Sequence, residues 1–192
     1  MKELNKIKEL FDAFIEEAEE LIEKSEQRLE FEDHNFKVNS DGWKKITVDN
    51  EEYLENPKKD IWEILNEEAR GEQLFTFKAM QRETKKAGKT VPTDEQFDSL
   101  LKVKEDMPNL VFAGYRNTDG AFYNFSSLKE KTDGAFYHIS SYAGFWSSLE
   151  SGSYAWSRTL YSSSSTVYLR AYTKTYGFSV RCVKGKKIQR DY

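Results

Sequence analysis

Cysteine is almost absent from this chain: Cys182 is the only one in 192 residues, so no internal disulfide can form. Histidine is nearly as scarce. His34 and His138 stand far apart, and no cluster of His and Cys at zinc-ligand spacing exists. No apolar run approaches the ~18 residues that a membrane span needs. The first twenty residues, MKELNKIKELFDAFIEEAEE, lack the apolar core of a signal peptide. There is no Gly-rich phosphate loop and no nucleophile elbow. The net charge of −4 gives no reason to expect nucleic-acid binding. These absences lead us to expect a protein that is not an enzyme and carries neither metal nor cofactor. A cytoplasmic location is expected, with virion association or cell-surface display compatible.

What is present divides the chain in two. Residues 1–105 are rich in Glu and Lys and read as helical, whereas 110–181 are rich in Ser, Tyr, Gly, Phe and Trp and read as β. Leu4, Ile7, Phe11, Phe14, Ala18 and Leu21 recur at spacings of three and four, forming one apolar stripe on a helix of roughly 25–30 residues. The same spacing fits about three heptads, but the seam fails at Ser25 and Arg28. We expect the stripe to pack on the chain's own body, beside Trp43, Trp62 and Ile64, in a monomer. The alternative is a dimer or trimer through this helix. Trp43, Ile46 and Val48 suggest a strand after the turn residues Asn39-Ser40-Asp41-Gly42. Residues 60–69, DIWEILNEEA, read as an amphipathic helix capped by Asp60 and stopped by Gly71. Thr76 caps a helix over 77–87, which Gly88 ends. Thr93 and Gln96 form a capping box for a helix reaching about Val103, with Val91 and Phe97 as a hydrophobic staple.

Short strands are predicted at 110–116, 121–125, 135–140, 144–148, 155–161, 166–172 and 177–183. Thr118–Ser127 (TDGAFYNFSS) and Thr132–Ser141 (TDGAFYHISS) are copies fourteen residues apart and identical at eight of ten positions. Two copies fall short of the roughly three units a solenoid needs. Asp119 and Asp133 sit in Asp-Gly turns without the carboxylate cluster that calcium requires. Phe178, Val180 and Cys182 share one face by strand alternation, which reads Cys182 as a buried, inert thiol.

Ser157–Tyr176 reads SRTLYSSSSTVYLRAYTKTY, and thirteen of its twenty residues are Ser, Thr or Tyr. Alternation directs Trp156, Leu160, Val167 and Leu169 inward. It directs Ser157, Thr159, Tyr161, Tyr168, Arg170 and Tyr172 outward, with Ser162, Ser163, Ala171 and Thr173 at the margin. Tyrosine set among small hydroxylated residues has the composition of an antibody paratope. The same composition suits an ordinary solvated β face.

Four segments carry a family resemblance, in order: GEQLFTFKAMQRETKKAGKTVPTDEQF (71–97), FAGYRNTDGAFYNFSS (112–127), GFWSSLESGSYAW (144–156) and GFSVRCVK (177–184). Together they resemble the variable proteins of diversity-generating retroelements. Those proteins have the C-type lectin fold in its formylglycine-generating-enzyme-like form and occur in bacteria, archaea and their phages or viruses. The resemblance implies an α+β chain: a helical N-terminal extension over 1–70, then a C-type-lectin-like domain over 71–187. The variable region would span about 141–176. It also implies that adenine-directed mutagenesis rewrites the exposed side chains of the Ser/Thr/Tyr run on a fixed scaffold that includes Trp146, Trp156, Phe178 and Val180. The partner is then a protein or other macromolecule of no fixed identity. The alternatives are an oxidase like the formylglycine-generating enzymes and a structural particle component. The oxidases use cysteines for catalysis, and a single cysteine supplies no comparable pair.

Overall fold

A computed structural model describes residues 2–25, 28–48, 50–117, 136–139 and 141–186 and shows a mixed helix-and-sheet protein. The chain divides into two compact units, one of 1–30 with 184–192 and one of 31–183. The elements run α1 (Lys2–Ser25), β1 (Arg28–Phe31), β2 (Lys44–Val48), β3 (Glu51–Glu55), β4 (Ile61–Ile64), β5 (Gln73–Phe75), α2 (Phe77–Lys86) and α3 (Asp94–Leu100). They continue with β6 (Ala113–Arg116), β7 (Phe136–Ile139), β8 (Tyr142–Ser151), β9 (Tyr154–Tyr161), β10 (Val167–Thr173) and β11 (Val183–Lys186).

In the first unit the stripe read from the sequence lies along α1, but its side chains from Leu4 to Ala18 are not buried. Leu4, Ile7, Leu10, Phe11 and Phe14 are all exposed, between 60% and 72%. β1 pairs with β11 in a two-stranded ladder.

The second unit holds two sheets. β2, β3, β4 and β5 form an antiparallel meander in that order. The helix expected over 60–69 is therefore a strand, Ile61–Ile64, followed by a single 3-10 turn at Glu67–Ala69 that Asn66 caps. Burial on both faces decides this. Ile61 packs into one core cluster while Trp62 and Ile64 pack into another, which suits a strand between two layers. Asp60 does not cap a helix. It closes the preceding turn with Asn56 at 2.6 and 3.0 Å and pairs with Arg82 of α2 at 2.8 Å. Burial works to raise the Asp60 pKa, but the hydrogen bonds from Arg82 and Asn56 outweigh it and hold the carboxyl below its ordinary value. The domain boundary expected at 70/71 moves for the same reason. The pairing of Ile61 with Phe75 joins 44–64 to β5, and the compact unit begins at Phe31.

Both helix caps are as read. The Thr76 hydroxyl accepts from Ala79 N at 3.3 Å, and Thr93 with Gln96 makes the full capping box. α3 stops at Leu100, short of Val103, because the Asp106 carboxylate takes the amides of Lys102 and Val103 at 2.7 and 3.0 Å. Val91 and Phe97 belong to different core clusters, so the staple does not form.

The other sheet has the order β10-β9-β8-β6-β7, antiparallel except where β6 meets β8. One face carries Tyr142, Trp146 and Ala155 into a cluster with Phe77, Phe178, Val180 and Cys182. The other carries Ala143, Phe145 and Leu160 into a cluster with Phe97 and Leu101. The first TDGAFY copy lies outside the described residues, as do the strand expected at 121–125, Asp119 and Asp133. Of the second copy only 136–139 and 141 are described.

The strand expected at 177–183 is instead a connecting segment. Phe178 exchanges both backbone bonds with Phe75, and Gly177 exchanges both with Arg116. Ser179 bonds Gly144 and Trp146, while Val180 and Cys182 accept from Phe36 and Glu32. Arg181 is fully buried beside them. Its Nε donates to Asn35 Oδ1 at 3.0 Å, and its Nη1 donates to the carbonyls of Glu32 and Pro108 at 2.9 and 2.7 Å. Burial lowers its pKa to about 10, so it stays charged at neutral pH. Arg181→Met orphans these acceptors. It is expected to destabilise the fold by about 3–5 kcal/mol in denaturant unfolding. An unchanged unfolding midpoint would show that the fork holds nothing together.

Candidate functional site

The Ser/Thr/Tyr run folds as the β9–β10 hairpin at the margin of the five-stranded sheet. Pairing is continuous from Val167–Leu160 to Thr173–Tyr154, with no bulge. The hairpin turn is held mainly through its backbone. Ser162 N donates to Ser141 O at 2.9 Å, and Ser164 N donates to Tyr161 O at 3.2 Å. Lys104 contributes its amide to Ser165 O at 3.1 Å and its ammonium to Ser162 O at 2.6 Å. Among the turn's hydroxyls, that of Ser164 accepts from Thr166 N at 3.1 Å, the one such bond among the described residues. At the other end Lys174 Nζ reaches Gly152 O and Glu150, each at 2.6 Å.

The residues expected to face outward separate into two groups. Ser162, Ser163, Arg170 and Ala171 are exposed, and Tyr168 is at 36%. Tyr161, Tyr172 and Thr173 are half-buried. Ser157 and Thr159 are a correction: both are fully buried. They do share the face of Tyr168 and Arg170, their cross-strand partners. On their other side, however, β8 sets Trp146 and Gly144 against them, and that face is core. A central strand is covered where an edge strand is open. Among the described residues the hydroxyls of Ser157 and Thr159 have no hydrogen-bond partner.

The expected inward set changes as well. Leu160, Trp146, Phe178 and Val180 are buried, as read. Leu169 is 46% exposed, and Trp156 and Val167 are half-buried. With Tyr154 and Ala171 they give the hairpin a second, more apolar face. Arg158, on this face, is buried and paired with Asp98 at 2.9 Å. Alternation alone does not mark this face as accessible.

Tyrosines line the first face. Tyr168 meets Tyr161 edge-on at 5.7 Å, Tyr161 meets Tyr142 at 5.4 Å, and Tyr142 meets Tyr115 at 5.0 Å. Tyr172 contacts Tyr176 and Phe178, both at 4.9 Å. Burial, with smaller contributions from neighbouring tyrosines, pushes the Tyr142 phenol well above its ordinary value. Arg170 lies 5.6 Å from the Tyr168 ring centre and is the only charged residue between Val167 and Thr173.

Elsewhere, a groove of about 350 Å³ runs beside α2, lined by residues that include Met80, Thr84, Lys89 and Val91. Its Thr84 hydroxyl is committed to Met80 O at 2.7 Å and its Lys89 to Glu32 at 2.6 Å. Cys182 is buried, and loss of solvent pushes its thiol up to about 12. Among the described residues no group of three or more His, Cys, Asp or Glu is placed to hold a metal. No family model matches the chain, and no curated protein or solved structure matches it.

The buried hydroxyls give a direct check. Thr159→Val replaces an unpartnered polar group with an apolar one of the same shape, so it is expected to leave stability unchanged or raise it. A loss above about 1 kcal/mol would mean that the Thr159 hydroxyl is bonded in the folded protein.

Proposed function

We propose that the chain is a ligand-binding protein with a C-type-lectin-like fold, diversified by a retroelement to bind varied macromolecular targets. One observation carries the reading. The β9–β10 hairpin is shaped chiefly by backbone bonds, and the contacts of its outer side chains are chiefly ring contacts that lie outside the ladder. Such a hairpin keeps its form when those side chains change. The site comprises Tyr161, Ser162, Ser163, Tyr168, Arg170 and Tyr172, with Ala171 and Thr173 on the hairpin's other face and without Ser157 and Thr159. Half-buried tyrosines supply contact area at low entropic cost, and serines supply adaptable hydrogen bonds. The resemblance of 71–184 to the retroelement variable proteins adds support. Its GFWSSLESGSYAW segment supplies the β8–β9 turn region and the buried Trp146.

The oxidase alternative has less support. A thiol raised to about 12 is almost wholly protonated at neutral pH, the opposite of an activated nucleophile. No helix among the described residues is long and apolar enough to cross a membrane.

Sequencing the gene's locus tests the proposal. The expected finding is a reverse transcriptase gene with a near-identical repeat of the segment encoding about 141–176. The repeat differs at adenines, with the resulting substitutions gathered at 161–173. A locus without such a repeat, or differences spread equally over Trp146 and Phe178, would contradict it.

A further inference from the structure

β10 is the terminal strand of its sheet. Its inner edge is fully paired with β9. Among the described residues nothing hydrogen-bonds to the outer edge between Val167 and Tyr172. The ends of this open stretch are clamped. Thr166 bridges Val103, and Lys174 O accepts from Phe77 N at 3.0 Å. The result is an edge six residues long whose outward backbone groups have no partner among the described residues. Most edge strands are blunted by proline, lysine, a bulge or a covering loop. VYLRAY has no proline, no lysine and no bulge, and its one charge leans over a neighbouring ring.

We propose that β10 is an acceptor for an added β-strand. A protein ligand lays an extended segment along Val167–Tyr172, with apolar residues beside Leu169 and an acidic residue opposite Arg170. This rests on the hairpin being the ligand surface and names how the ligand lies on it. Backbone bonds then give affinity independent of sequence, and alternate side chains give selectivity. That division suits a surface whose side chains vary. Charge argues for a foreign strand over a second copy. Antiparallel self-pairing, same face up and well overlapped, sets the two Arg170 side chains directly opposite or on the diagonal at ~7–8 Å, and like charges there repel.

The probe is a synthetic peptide, Thr-Val-Glu-Val-Glu-Val-Thr, added to the full-length protein and followed by amide hydrogen exchange and titration. The expected result is protection of alternate amides within 167–172. N-methylation of the peptide amides along one edge is expected to weaken binding at least about tenfold, and methylation along the other edge to change it little. Replacing Glu by Lys in the peptide weakens binding, and Arg170→Glu reverses that preference. Binding that ignores both N-methylation patterns yet is lost in Tyr168→Ala overturns strand addition but keeps the hairpin as the ligand surface. No binding at all overturns the inference. So does a dimer whose β10 amides are protected without peptide.

Discussion

Gly177–Val183 is the constraint on which the rest of the second unit depends. In seven residues it bonds to β5 through Phe75, to β6 through Arg116, to β8 through Gly144 and Trp146, and to Glu32, Phe36 and Thr90. It joins two sheets that share no strand. Phe178 sits where they meet, edge-on to Trp146 at 4.7 Å, and the Trp146 indole donates to Phe75 O at 2.7 Å. The fit leaves no slack. A Cβ on Gly144 would fall inside van der Waals contact of Phe178 Cδ1 and 2.7 Å from Cε1. Arg181 performs the polar counterpart of this packing, gathering carbonyls from two loops that make no ladder of their own.

That arrangement explains why the hairpin can be permissive. The first six residues of β8 and the inner part of β9 are covered on both faces, so their side chains are specified by packing. β10 is one strand further out. Its conformation follows from its ladder with β9 and from the two clamped ends; Tyr168, Leu169, Arg170 and Ala171 are exposed, while Val167, Tyr172 and Thr173 are half-buried. The gradient from fixed to free is crossed within a single hairpin: Thr159 is fully buried, while its partner Tyr168 is at the surface.

Much of this is legible in the residues themselves. The caps at Thr76 and Thr93 depend on local chemistry and stand as read, as does the shared face of Phe178, Val180 and Cys182. What fails is anything set by distant cover. Alternation states which residues share a face but not which face is covered, so by itself it sets Ser157 and Thr159 on the surface and Leu169 in the core, the reverse of what the structure shows. Ile61-Trp62-Glu63-Ile64 fits a helical stripe and a doubly buried strand equally well. The choice is made by β3 and β5 on either side of it. Likewise the role of 177–183 as a junction lies in partners spread from Glu32 to Trp146, which no local pattern reveals.

The central claim is a tolerant surface on an intolerant core, and paired libraries test it most directly. One library randomises Ser162, Ser163, Tyr168, Arg170 and Ala171; the other randomises Trp146, Ser157, Phe178 and Arg181. Both are scored for folded, protease-resistant protein. The account predicts that most members of the first library fold with little loss of melting temperature and that few of the second fold at all. Equal survival of the two libraries, or collapse of the first, would contradict it.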